Sequence, residues 1–412
     1  MNRRDTRVGV FAVLMGLTCG YDATAMAGAL LLVTDHFGLT TTGQGSLFSA
    51  TAAGWIAGAL PAGRLVGAIG RRRTLFALVG LYLVGTAVAV SAGGPVWLDV
   101  GRFVQGTAIG VAIVATPVFI AESASTRVRG RIAVLYQVAT SLGCALGYFG
   151  GYFLAGGGQW RLMLAIPGVL ALVAAASLVP LPESDRWRRD GPRPALRALV
   201  SARHRRLTFF VVALGFFVQA TGINAMVFFS PRIFERMGFA DAFGLLVLPG
   251  FVQLAGAVAA LACALTVDRF GRRPALLTGT ALMALGHAVM VVVFAADSPG
   301  VVGFVGLVVF VVGFNSGFGA LVWVFAAEGY PDHLRGAGAS AMLLTNLTTN
   351  LVVAQFFLDL LGAVGGAGTY LLLLGVTAAA WLFVFLLAPE TKGRSLDEVQ
   401  AHWEGAAGAA AR

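Results

Sequence analysis

The chain has 412 residues, of which 58% are hydrophobic and 12% charged, and its mean hydropathy is +0.83. That composition excludes a soluble domain and implies a polytopic membrane protein. A formal charge of +10 raises nucleic acid as a partner, but the basic residues sit in short loops between apolar runs, which excludes it.

Val8–Val33 opens the chain as an apolar run long enough to cross a bilayer, and it carries a single charge, Asp22. Arg3, Arg4 and Arg7 precede it, and the run is too long for a cleavable signal peptide. An acid in mid-membrane costs roughly 2.5–3.5 kcal/mol on insertion scales, so Asp22 is expected either to pair statically with a buried Arg or to exchange a proton in a water-lined cavity. Apolar windows place further spans at about 44–66, 74–93, 96–121, 131–155 and 160–180 in the first half of the chain. Arg102, at the start of the fourth span, is the natural partner for Asp22. A guanidinium keeps a buried acid ionised, and an acid whose partner moves away accepts a proton.

Leu181–Arg206 follows as a basic linker with Pro182, Pro192 and Pro194, suited to a lipid-headgroup surface. The second half holds spans at about 207–230, 242–266, 274–296, 299–329, 336–361 and 367–388. Span 7 carries Gln219 and Asn224 around Gly222, with Pro231 beyond. Gln137 on span 5 and Asn346 and Asn350 on span 11 extend this amide set. Such amides either bond helix to helix or hold a neutral polyhydroxylated solute. Trp323 follows the helix-softening Gly317-Phe318-Gly319 and offers a ring face to stack on an apolar sugar face, or to pack. His287 has no second ligand type spaced for a metal and reads as a packed or hydrogen-bonded histidine. The tail 389–412, Ala/Gly-rich at its end, is expected to be disordered.

Three short pieces repeat in order. Gly70-Arg71-Arg72 recurs as Gly271-Arg272-Arg273, Glu122 with Arg129-Gly130 recurs as Glu328 with Arg335-Gly336, and Pro182-Glu183-Ser184 recurs as Pro389-Glu390-Thr391. The repeat implies two parallel six-helix halves with a solute site between them near mid-membrane. The expected division is 1–181, linker 182–206, 207–388 and tail 389–412. Arg and Lys gather in one set of connections, whereas the opposite set holds only Arg232 and Arg236, so both termini are expected in the cytoplasm. Glu122, Arg129 and Glu183 in one half, with Asp268, Arg272, Glu328 and Arg335 in the other, read as a gate of ion pairs at the cytoplasmic helix ends, or else as solvated anchors.

These pieces carry a resemblance. Gly20-Tyr21-Asp22, Gly101-Arg102, Glu122 to Gly130, Gln219 to Asn224, Asp268 to Arg273 and Pro389 to Gly393 match motifs of the sugar-porter branch of the major facilitator superfamily, over nearly the whole chain. The resemblance implies an all-α, twelve-helix major facilitator fold in the inner (plasma) membrane. It implies proton-coupled uptake of a sugar-like solute by alternating access, energised by the proton gradient, with no cofactor, no enzymatic activity and membrane lipid as the surroundings of a monomer. It assigns Asp22 and Arg102 to proton coupling, and Gln137, Gln219, Asn224, Trp323 and Asn350 to solute contact. Phe228 and Phe229 stand where the family commonly has a Tyr pair, and Cys144 and Val218 replace polar residues, which implies a less hydroxylated solute than a hexose. Gly143, Gly147, Gly150 and Gly151 faintly resemble an antiporter motif, so proton-driven export of a drug or metabolite is the alternative; a non-transporting nutrient sensor is a more distant one.

Overall fold

The computed structural model describes residues 3–125, 128–183, 199–201 and 203–392, and positions 398, 400 and 403. The side chains of Arg129, Asp268 and Glu328, and most of the linker and tail, lie outside the described residues. Six long helices build the first half: α1 (Arg3–Phe37), α2 (Thr41–Ile69), α3 (Arg71–Val90), α4 (Pro95–Ser123), α5 (Arg129–Ala155) and α6 (Trp160–Leu178). In the second half, span 7 is broken into α7 (Arg205–Ala220), α8 (Ile223–Phe228) and α9 (Ser230–Arg236). Then come α10 (Leu248–Phe270), α11 (Arg272–Ala295), α12 (Gly300–Ser316), α13 (Phe318–Gly329) and α14 (Asp332–Leu387).

Among the described residues, eleven helical stretches are long and apolar enough to cross a membrane. The last of them counts twice. α14 has 56 residues, roughly 84 Å of continuous helix against about 30 Å of hydrocarbon, so it must turn. The turn is Gly365, at φ 70° and ψ 176°, a conformation closed to residues with a Cβ. The chain therefore forms twelve crossings, as the apolar windows indicate. The solvent facing them is lipid: Phe153 is 80% exposed and Leu265 77%, values that suit hydrocarbon and not water.

Close approach defines the core. A Cβ built on Gly20 of α1 would lie 1.9 Å from the Thr140 carbonyl, and one on Gly143 of α5 would lie 2.5 Å from that of Leu17. Only glycine lets the two backbones touch so closely, the usual means of joining helices in lipid. The antiporter-like glycine run thus has a packing task here.

The halves meet through α2 against α14 and α5 against α10. Their described contacts cluster at one end of the bundle, the end away from the arginine-rich loops. There Thr41 Oγ1 donates to Asp359 (2.8 Å), Ser49 Oγ to Gln355 (2.6 Å) and Arg232 Nε to Gln44 (2.9 Å). Phe48 stacks on Phe228 at 4.8 Å, and Phe229 stacks on Phe357 at 5.5 Å. The tail differs from expectation at Trp403, which is buried against Phe210 with ring centroids 4.9 Å apart. An indole covering an apolar face gains more than it loses by being ordered; residues 404–412 lie outside the described residues.

Candidate functional site

Asp22 lies midway along α1 and is 1% exposed; Arg102, near the start of α4, is 2% exposed. Arg102 Nη1 donates to Asp22 Oδ1 at 2.9 Å, and Tyr82 of α3 donates its hydroxyl to the same oxygen at 2.7 Å. The guanidinium is braced in turn: Nε donates to Thr51 (3.1 Å) and Nη1 to Gln105 Oε1 (2.9 Å). Gln105 Nε2 then donates to Thr86 at 2.9 Å. Burying two charges costs several kcal/mol per ion, offset only where the remaining polar atoms are also bonded. This network bonds Asp22 Oδ1 and the Nε and Nη1 of Arg102 with side chains from four helices. Sequence reasoning found the acid and the guanidinium because charges stand out in apolar runs. It missed Tyr82, Thr51, Thr86 and Gln105. Of these only Gln105, three residues along the same helix from Arg102, carried a signal.

The amides of the second half gather where span 7 breaks. Gly222, at φ 89°, ends α7 and leaves the Thr221 carbonyl without a helical donor. His287 of α11 supplies one: its Nε2 lies 3.1 Å from Thr221 O, so that nitrogen carries the proton. Backbone freed inside a membrane needs such a partner. Around the break, Gln219 Nε2 donates to Asn346 Oδ1 at 3.2 Å, and Asn224 Nδ2 donates to Asn350 Oδ1 at 2.8 Å. Each pair leaves one buried atom over. Gln219 Oε1 and Asn350 Nδ2 have no partner among the described residues. An unmet buried polar atom costs about 1–3 kcal/mol, so these two atoms are the least satisfied part of the amide set.

Two more expected contacts are placed separately. Gln137 is exposed on α5, and at roughly 100° per residue it points away from the lipid-facing Leu135, Leu142 and Phe153. It therefore faces the inside of the bundle. Trp323 of α13 is 38% exposed, off the stripe of Phe318, Leu321, Val322 and Phe325 that packs inward. Among the described residues no group of three or more His, Cys, Asp or Glu gathers as a metal would need.

At the arginine-rich end, Glu122 accepts from Arg71 Nε at 3.0 Å within the first half. Glu183 accepts from the backbone N–H of Arg72 at 2.9 Å, capping α3. The second half repeats the cap: Glu390 accepts from Arg272 and Arg273 N–H at 3.1 and 3.2 Å, capping α11. An anion at a helix N-terminus satisfies free donors and the dipole together. Arg71 and Glu390 were missed as functional residues, although the internal repeat held both. Arg272 and Arg335 are half-buried at the same end; Arg129, Asp268 and Glu328 have no described side chains there.

Similarity to known proteins agrees with this architecture. The family described as "Sugar (and other) transporter" matches residues 8–195 and 192–403. The arabinose-proton symporter of Escherichia coli (strain K12) is 30% identical over 443 residues, covering 96% of this chain and 94% of that protein. The galactose-proton symporter of the same strain is 29% identical, covering 94% and 92%. In three dimensions, the crystal structure of a D-xylose-proton symporter superposes with a TM-score of 0.83 at 24% identity, over 95% of this chain and all of that one. The fold, the Asp22 and Arg102 motifs and the two matched halves converge on one conclusion: the chain belongs to the sugar transporter family of the major facilitator superfamily.

Proposed function

We propose that this protein is a proton-coupled symporter that takes up a sugar or sugar-like solute by alternating access. The observation that carries the reading is the buried Asp22–Arg102 pair, held by neutral donors and acceptors in mid-membrane, where a proton on Asp22 would cancel the attraction to Arg102. The relatives named as arabinose-proton and galactose-proton symporters support it.

In this reading the arginine-rich end is cytoplasmic, following the positive-inside bias. The halves 1–181 and 207–388 rock as two bodies joined by the linker 182–206, and the pinched end faces outward, so the described state opens inward. Gln137, Gln219, Asn224, Asn350 and Trp323 hold the solute. Gln219 Oε1 and Asn350 Nδ2 supply an acceptor and a donor to its hydroxyls. Glu122, Glu183, Arg272 and Arg335, with Arg129, Asp268 and Glu328, form the cytoplasmic gate, and Arg71 joins it through Glu122. The protein works as a monomer in the inner membrane and needs no cofactor.

The test is Asp22→Asn in proteoliposomes with an imposed proton gradient. Gradient-driven accumulation should vanish while exchange of solute across the membrane persists. Accumulation at the wild-type level would remove Asp22 from the coupling step.

A further inference from the structure

The two halves repeat each other, yet one cleft is sealed in the first and open in the second. In the first half, α2 lies directly on α4. A Cβ on Gly58 would stand 2.0 Å from the Thr107 carbonyl, and one on Gly110 would stand 2.2 Å from that of Trp55. The offset that carries Gly70 to Gly271 carries Gly58 to Ala259. The offset that carries Glu122 to Glu328 carries Gly110 to Ser316, and Gly106 to Val312. Where glycines close the first cleft, side chains hold α10 away from α12 in the second.

The result is a cavity of about 450 Å³ walled by α10 and α11 and floored by α12, with Ala259, Val312 and Ser316 among its lining. Cys263 reaches across it, donating its thiol to the Ser316 carbonyl at 3.2 Å. The lining hydroxyls are satisfied within their own helices: Thr266 donates to Ala262 O, Thr278 to Pro274 O and Ser316 to Val312 O. The wall thus offers hydrocarbon and small side chains. Its mouth opens to lipid, where Phe270 is 65% exposed and Leu265 77%. At the arginine-rich end of the cleft, Lys392 donates its ammonium to the Arg269 backbone carbonyl at 2.6 Å, and Arg269, the residue before the lining Phe270, is itself exposed. The floor ends at Ser316, the last residue before the break at Gly317.

We infer that this cleft seats one acyl chain of an anionic phospholipid from the leaflet on the arginine-rich side, with its headgroup at Arg269 and Lys392. Apolar walls take the chain, and the two cations favour a negative headgroup over a zwitterionic one. The occupant lies against the α12–α13 break and fills the space that glycine packing removes in the first half.

The full-length protein is placed in nanodiscs of phosphatidylcholine doped with phosphatidylglycerol bearing a diazirine in its acyl chain, then irradiated, and labelled peptides are quantified by mass spectrometry. Label should concentrate in α10 and α11, several-fold above the corresponding α2 and α3. Ala259→Phe, which fills the cleft, should lower the α10–α11 label alone. Arg269→Gln with Lys392→Gln should erase the advantage of phosphatidylglycerol over a phosphatidylcholine probe of the same chain. Equal labelling of the two halves overturns the site, as does label untouched by Ala259→Phe; a headgroup preference that survives the double substitution overturns the anionic assignment. The wild-type comparison between halves decides even where a variant fails to fold.

Discussion

A lone carboxylate in lipid is held by what surrounds it, and the consequence is measurable at single residues. Replacing Arg102 with Met leaves Asp22 buried and without its counter-charge. Breaking a buried pair by removing one partner costs about 3–5 kcal/mol, whereas removing both charges is often neutral. Arg102→Met should therefore lower the melting temperature of the detergent-purified protein strongly, and Asp22→Asn added to it should restore most of the loss. A double variant no more stable than the single one would show that Asp22 does not depend on Arg102. The orphan atoms of the amide set make a different prediction. Gln219→Leu removes an acceptor that has no partner among the described residues, together with the donor to Asn346. A hydrogen bond to a neutral group is worth about 0.5–1.5 kcal/mol, so affinity for the transported solute should fall roughly two- to tenfold, read as a rise in KM with little change in the maximal rate. An unchanged KM would take Gln219 out of the solute site. At this scale the sequence exposed charges and amides by contrast with their apolar surroundings. It concealed Tyr82, which is one aromatic among many until the fold sets its hydroxyl on Asp22, 60 residues away.

Helix ends and breaks were legible for a different reason: glycine and proline mark them whatever the tertiary structure. Gly222 and Pro231 announce the interruption of span 7, and Gly317 that of span 10, and both are present. The partner that makes the first break tolerable was not legible, because His287 is 66 residues from the carbonyl it meets. Gly365 isolates the backbone contribution. A Cβ there would meet nothing within 4 Å, so Gly365→Ala introduces no clash and its whole cost is the backbone conformation at φ 70°. Strain of this kind is worth about 1–3 kcal/mol. Gly375, in the same helix, also has open space around a built Cβ but has ordinary helical backbone, and Gly375→Ala should leave the melting temperature unchanged or slightly higher. Equal melting temperatures for the two alanine variants would mean that Gly365 does not turn the chain between the last two crossings.

At the scale of the whole molecule, the repeat foretold two matching halves but not which end would be closed, since alternating access uses one sequence for both states. The structure is pinched by an aromatic cluster of Phe48, Phe228, Phe229 and Phe357, ringed by the polar pairs Ser49–Gln355 and Thr41–Asp359. Phe228 and Phe229 do by apolar contact what a hydroxylated pair would do partly through water, so this end should close tightly and part only when the halves rock. Joining the halves there must then stop transport without disturbing the solute site. With Cys19, Cys144 and Cys263 replaced, Ser49→Cys and Gln355→Cys should be bridged by a short bifunctional maleimide in the ligand-free protein, because the native side chains already touch at 2.6 Å. Bridged protein should bind solute yet fail to accumulate it in proteoliposomes, while the same double-cysteine protein left unbridged keeps its uptake. Undiminished uptake in fully bridged protein would mean that the α2–α14 contact is not a gate, and that the path between the halves opens elsewhere.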